Sequence, residues 1–161
     1  MSEAGEDCDA GGISGCLEEI APDLRQSYPR SLRETLAGYV LAARILDKCR
    51  ATLLKRNGEY NYACSLDQLF FDFTGIDPAA FSAFVATGAD DEAVARWIAA
   101  RSCQKERLAV IKWNNRLRDM RLSEAPDFAQ EYMEDYIAQH LPRHRPVYHY
   151  FDIYDLEEGR L

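Results

Sequence analysis

The sequence is poor in the features that announce most functional classes. No apolar run approaches the roughly 20 residues that span a bilayer, and the first 23 residues contain no Lys or Arg to serve as the basic start of a signal peptide. The five cysteines are scattered, odd in number and never spaced CxxC, which argues against a disulfide framework, a zinc knuckle or a thioredoxin-like site. There is no GxGxxG, P-loop, HExxH or GxSxG pattern, so the signatures of dinucleotide, nucleotide triphosphate, zincin and serine-hydrolase chemistry are missing. Strand signals are few. These absences lead to the expectation of an unexported cytoplasmic protein with reduced thiols, no membrane segment, no cofactor and no metal.

What is present reads as an ordinary globular chain. Its 161 residues are 47% hydrophobic and 29% charged, a length suited to one domain with a real core. The net charge of -8 is unevenly spread. Residues 1–20 are acidic and Gly-containing, carry too little apolar surface to offset the entropy of ordering, and are expected to form a disordered tail ahead of a single domain at 21–161. Beyond the tail the sign alternates: basic over 25–56, acidic over 57–100, basic over 101–122, acidic over 123–139. Such blocks predict helices of opposite sign packed side by side. A nucleic-acid binder would leave one basic face unopposed, so nucleic acid is not an expected partner.

Helix punctuation is dense. Ser31 with Glu34, and Ser65 with Gln68, fit the capping-box spacing. Asp77-Pro78 reads as an N-cap followed by a first-turn proline, Asp90-Asp91-Glu92 as an acidic helix start, and Gly58, Gly75 and Gly88 as stops. These marks predict helices near 32–55, 66–73, 78–86, 91–101, 104–121 and 126–140. "PVYHYFDIYD", from Pro146, is rich in strand formers but has no comparable run to pair with, and is expected to lie as an extended aromatic arm over the helices. The predicted fold is therefore all-α: a single compact multi-helix domain with a long first helix and an extended aromatic C-terminal arm.

The first helix poses the sharpest question. Turning about 100° per residue from Leu32, Leu36, Ala43 and Leu46 share one stripe with Asp47 and Arg50. Two charges thus face inward, three residues apart, where they can pair with each other. Arg44 and Lys48 sit at the stripe's polar margin. The expected cleft is lined by Arg44, Asp47, Lys48 and Arg50, with Tyr60, Tyr62 and Asp67 from the following loop and helix, and would suit a small anionic or zwitterionic ligand. The competing reading is that the Asp47 and Arg50 pair only fixes how helices register.

Other candidates are weaker. His140, His144 and His149 with Asp152 and Asp155 have metal-ligand residue types, but Pro142 and Pro146 break the helix that would align them. Tyr148, Tyr150, Phe151 and Tyr154 could stack bases, yet the neighbouring carboxylates would repel phosphates. Cys64 stands beside a helix start but has no assigned histidine partner.

Along "DLRQSYPRSLRETLAGYVLAARILDKCRATL", "NGEYNYACSLDQLFFDFTGID", "VARWI", "KWNNRL" and the closing "YFDIYDLEEGRL", the chain resembles a bacterial family catalogued as domain of unknown function 5069. The resemblance runs from about Pro22 to Leu161 and leaves the acidic lead outside it. It implies that Pro29-Arg30, Leu46-Asp47-Lys48, Asn57-Gly58 and Leu66-Asp67 belong to a recurring pattern; it implies no activity, cofactor or catalytic residue. Three functions stay open: ligand binding on the first helix, docking of a protein partner, and catalysis without a familiar motif. The first is the favoured expectation.

Overall fold

Helix α1, Ala42–Leu53, is the element around which the others collect, and every residue from Ala42 to Ala51 is buried. The computed structural model describes residues 16–125 and 127–161. After α1 come α2 (Ser65–Thr74), α3 (Pro78–Val85), α4 (Asp91–Arg101), α5 (Arg107–Arg118), a 3-10 turn at Leu122–Glu124, α6 (Asp127–His140) and α7 (Tyr150–Glu157). Regular structure among the described residues is helical, apart from isolated β-bridges pairing Leu36 with Tyr39 and Arg121 with His149. None of these helices is long and apolar enough to cross a membrane.

Two caps form as the spacing predicts. Asp77 accepts from Ala80 N at 3.0 Å and Asp90 from Ala93 N at 2.8 Å, satisfying first-turn amides that the helix itself cannot. Gly75 closes α2 in the left-handed conformation.

The long first helix is not formed. Ala37, Gly38 and Leu41 have φ of 53°, 82° and 69°, which no α-helix accommodates, so α1 begins at 42 rather than 32. Leu36 and Tyr39 instead exchange backbone hydrogen bonds across a tight turn. The turn is held by Asn114, 4% exposed: its Oδ1 accepts from Val40 N at 3.1 Å, and its Nδ2 donates to Gly38 O at 2.7 Å. Ser31 caps no helix; its hydroxyl donates to Asp155. At α2 the N-cap is Cys64, one residue before the predicted Ser65.

The aromatic arm is also corrected. Its start is extended and His149 bridges to Arg121, but residues 150–157 are helical. Phe151 and Asp155, one turn apart, are buried, as is Ile153, and Tyr150 and Tyr154 bring their hydroxyls to 3.3 Å. Strand propensity loses here to a four-residue spacing that satisfies both apolar and charged neighbours. Residues 16–20, placed in the tail by composition, are helical with Leu17 buried; the expectation for residues 1–15 lies outside the described residues.

The main core packs Ala43, Ile45, Leu46 and Cys49 of α1 against α2, α3, α4 and α5, which are tied further by aromatic contacts. Phe73 stacks on Trp113 at 4.7 Å, Phe84 on Trp97 at 5.3 Å, and Tyr39 meets Phe70 edge-on at 5.5 Å. A smaller cluster around Met133, Leu141 and Ile153 seats α6 against α7.

Asn114→Ala tests the turn before α1. It leaves the Val40 N–H and Gly38 carbonyl buried without their partners and should lower unfolding free energy by about 2 to 4 kcal/mol. Urea denaturation measures this, and a loss below about 1 kcal/mol would show that the turn does not depend on Asn114.

Candidate functional site

Each charge of α1 finds a counter-charge in a distant segment. Asp47 and Arg50 do not pair with each other, and this part of the expectation is corrected. Asp47 accepts from Arg30 through Nε at 3.0 Å, Nη2 at 2.9 Å and the backbone N–H at 2.8 Å. Arg50 donates to Asp91 at 2.7 Å and to Ala89 O at 2.9 Å. Arg30 also reaches Asp91 at 2.7 Å, so Asp47, Arg30, Asp91 and Arg50 form a chain of alternating charge. A guanidinium fork fits a carboxylate two-handed, which Arg30 achieves on Asp47. Asp91, in the first turn of α4, gains from the helix dipole as well.

Arg44 and Lys48, expected at a polar margin, are each only 3% exposed. Arg44 donates to both Glu158 oxygens, at 3.0 and 2.6 Å, and to Arg30 O at 3.1 Å. Its guanidinium also lies 5.4 Å from the Tyr60 ring and 5.3 Å from the Tyr154 ring. Burial opposes its charge, and the Glu158 carboxylate more than offsets this, holding the guanidinium's pKa above its ordinary value. Lys48 donates to Asp67 at 2.6 Å and to Cys64 Sγ at 3.4 Å.

The one expected cleft is therefore two hollows. The first, of about 460 Å³, gathers Arg44, Lys48, Tyr60 and Cys64 with Tyr132, Tyr136, Tyr150, Tyr154, Glu59 and Glu157. The second is an open depression of about 610 Å³ lined by Arg30, Asp47, Arg50, Asp91 and the segment Glu19 to Pro22. Tyr62 and Asp67 line neither. Tyr62 donates to Pro78 O at 2.7 Å and packs on Phe71 and Phe81; Asp67 stands behind Lys48.

The tyrosine cleft has two electrical sides. Its cations are engaged by Glu158 and Asp67, whereas Glu59 and Glu157 make no ion pair among the described residues. Burial, joined by the charge of Glu158 at Tyr60 and of Glu157 at Tyr136, pushes those phenols up, so the rings are neutral at neutral pH. On the other side lies the start of α2. Unlike α3 and α4, this helix has no side-chain cap, and Ser65 and Leu66 in its first turn line the cleft. First-turn amides together with Lys48 make that end receptive to an anion.

The histidine cluster does not assemble. Asp152 and Asp155 are held by Arg33, and His149 faces Asp119 and Asp152; no three His, Cys, Asp or Glu side chains among the described residues are arranged to hold a metal ion. Sequence reasoning missed Arg30, Glu158 and the tyrosines of α6, and weighed Tyr150 and Tyr154 of α7 only as stacking platforms for bases. Arg30 and Glu158 each stand in a stretch quoted above, and a buried helix charge without a fitting neighbour requires such a distant mate.

A family model described as Domain of unknown function (DUF5069) matches residues 26–160, beginning past the acidic lead. No curated protein matches the chain.

Asp47→Ala leaves the Arg30 guanidinium to Asp91 alone and the Arg30 backbone N–H without its partner, and should cost about 2 kcal/mol in chemical denaturation. Asp91 supplies a pH test. Burial opposes its charge, but the bonds from Arg50 and Arg30 outweigh this and hold its pKa below the ordinary 3.8. A carboxylate depressed in the folded state stabilises above its unfolded value and loses that contribution as pH falls through the folded one. The stability gap between wild type and Asp91→Asn should thus be full at pH 7 and shrink below about pH 4. A gap independent of pH would assign Asp91 a packing role only.

Proposed function

The chain belongs to the family described as Domain of unknown function (DUF5069), and from the tyrosine cleft we propose that it binds a small zwitterionic molecule there. The observation that carries this reading is that neutral tyrosine rings, two exposed carboxylates and the uncapped start of α2 line one cleft. Of the anionic and zwitterionic ligands expected from sequence, the zwitterion fits better. Arg44 and Lys48 already hold Glu158 and Asp67, so a purely anionic ligand would have to compete with buried carboxylates. An ammonium group meets Tyr132 and Tyr150 beside Glu157, while Tyr136 is stacked between Tyr132 and His140. Tyr60 and Tyr154 show the same chemistry within the chain, since their rings hold the guanidinium of Arg44. The ligand's carboxylate meets the first-turn amides of α2.

A second reading, docking of a protein partner, is favoured by Phe128 and Tyr132, one turn apart on α6 and 75% and 61% exposed.

Thermal unfolding in the presence of amino acids, betaines, simple amines and simple carboxylates separates the readings. A zwitterion at about 100 times its Kd stabilises by roughly 2.7 kcal/mol, which should raise Tm by about 5 °C or more. Glu157→Gln and Tyr132→Ala, both at exposed positions, should keep the unliganded Tm and reduce the shift. No shift with any zwitterion, or an equal shift in both variants, would sink the cleft reading.

A further inference from the structure

Four cysteines lie among the described residues, all as free thiols, and their surroundings differ. Cys49 is inside the core, where burial pushes its thiol up to about 11. Cys16 and Cys103 are exposed, and each sulfur faces a backbone carbonyl at 3.5 Å, Gly88 O and Phe73 O respectively. Cys103 Sγ also accepts from Gln104 Nε2 at 3.7 Å, but neither sulfur meets a charged group among the described residues. Cys64 alone of the four faces a cation: its Sγ is 3.4 Å from Lys48 Nζ. It also occupies the N-cap of the ten-residue helix α2 and lines the tyrosine cleft.

Lys48 is fixed in that position. Its ammonium is anchored at 2.6 Å by Asp67, and the two side chains are 4% and 3% exposed. The second Asp67 oxygen, Oδ2, is buried and has no partner among the described residues, so the carboxylate keeps accepting capacity beyond the ammonium it already holds. The sulfur thus sits against a fixed ammonium on the wall of an open cleft, where an incoming group can reach it.

We propose that Cys64 is a thiol-exchange site whose partner is a small disulfide bearing ammonium and carboxylate groups, seated in the tyrosine cleft. The choice of ligand rests on the zwitterion reading above; the reactivity of the sulfur does not. In the step, the Cys64 thiolate attacks one sulfur of the incoming disulfide. The S–S bond of that molecule breaks, a mixed disulfide forms on Cys64, and the second sulfur leaves with the bonding pair as a thiolate and takes a proton from solvent. The cysteine sulfur rises to the disulfide level as the departing sulfur falls to a thiol, so the incoming disulfide is the only oxidant required. Glu157 and the tyrosine rings hold the ammonium of the retained half, and Lys48 steadies the reacting sulfur.

The test uses the full chain and compares its own thiols. The protein is exposed to limiting cystine, a zwitterionic disulfide, and separately to 2-hydroxyethyl disulfide, a neutral one, and each cysteine is followed by peptide mass. Cys64, only partly exposed, should react at least tenfold faster than the exposed Cys103 with either reagent, and its advantage over Cys103 should be greater for cystine. Glu157→Gln should reduce that extra advantage. Lys48→Met should slow Cys64 at least tenfold while Cys103 keeps its rate; because this variant strands Asp67, the wild-type comparison stands alone if it does not fold. A Cys64 no faster than Cys103 towards the neutral disulfide overturns the exchange site. A fast Cys64 with no preference for cystine overturns the ligand class, whereas the zwitterion reading of the cleft stands or falls on the thermal shifts above.

Discussion

Arg44, Asp47, Lys48 and Arg50 occupy about two turns of one buried helix, and each takes its counter-charge from a different part of the chain. Arg44 holds Glu158 just after α7, Asp47 holds Arg30 in the segment before the helix, Lys48 holds Asp67 of α2, and Arg50 holds Asp91 of α4. Four separate pieces are thereby tied to one axis. Charges taken this far out of water gain little net stability over well-packed apolar groups, yet losing one partner is expensive because the other stays buried. Such a set penalises wrong arrangements more than it rewards the right one. A rotated α1 would bury several unmatched charges at once, so the apolar core, which tolerates small slips, does not have to define register alone.

The same logic extends to the C-terminus. Arg33 holds Asp152 and Asp155, Ser31 donates to Asp155, and Arg160 reaches Glu158 and Pro29 O. Helix α7 is thus clamped to the segment 29–33 and to α1 by polar contacts around a few buried apolar anchors, Phe151 and Ile153 among them. The closing "YFDIYDLEEGRL" carries this clamp, which explains why a stretch so rich in strand formers adopts a helix. A strand would also put Phe151 and Asp155 on one face, but about 13 Å apart; a helix brings them within about 6 Å along its axis, close enough for Arg33 to lie over the ring and hold the carboxylate.

These two features mark where sequence was readable and where it was not. Local signals worked: α3 and α4 start at their aspartate caps, α2 stops at Gly75, and the basic block over 25–56 does meet the acidic block over 57–100, through Arg30, Lys48 and Arg50. The inward placement of Asp47 and Arg50 was legible too, although through a helical wheel begun at Leu32, ten residues before the helix exists. Partner choice was not legible. A spacing of three suggested that Asp47 and Arg50 neutralise each other, and nothing local shows that Arg30 and Asp91 intervene. The 31–41 segment failed for a different reason. Its apolar residues are buried as a helix would bury them, but left-handed backbone at Ala37, Gly38 and Leu41 and the grip of Asn114 from α5 turn it into a compact bend. Tertiary contacts set that conformation, and only Gly38 hinted at it.

The ionic hub also determines what the tyrosine cleft can recognise. Arg44 and Lys48 form part of its wall, but both are engaged in holding α7 and α2 in place, so their charge is spent within the fold and not offered outward. The cleft groups that the hub does not use are tyrosine rings, two exposed carboxylates, the uncapped amides of α2 and the sulfur of Cys64, and any binding there would have to rest on them. Because Lys48 touches both Asp67 and Cys64, anything that changes the sulfur's charge alters the electrostatics of one spoke of the hub. A negative sulfur gives Lys48 a second counter-charge and lightens its dependence on Asp67, whereas a sulfur locked in a disulfide removes that support. Scaffold and cleft therefore share a single ammonium, and chemistry at the cleft is coupled through Lys48 to the anchoring of α2.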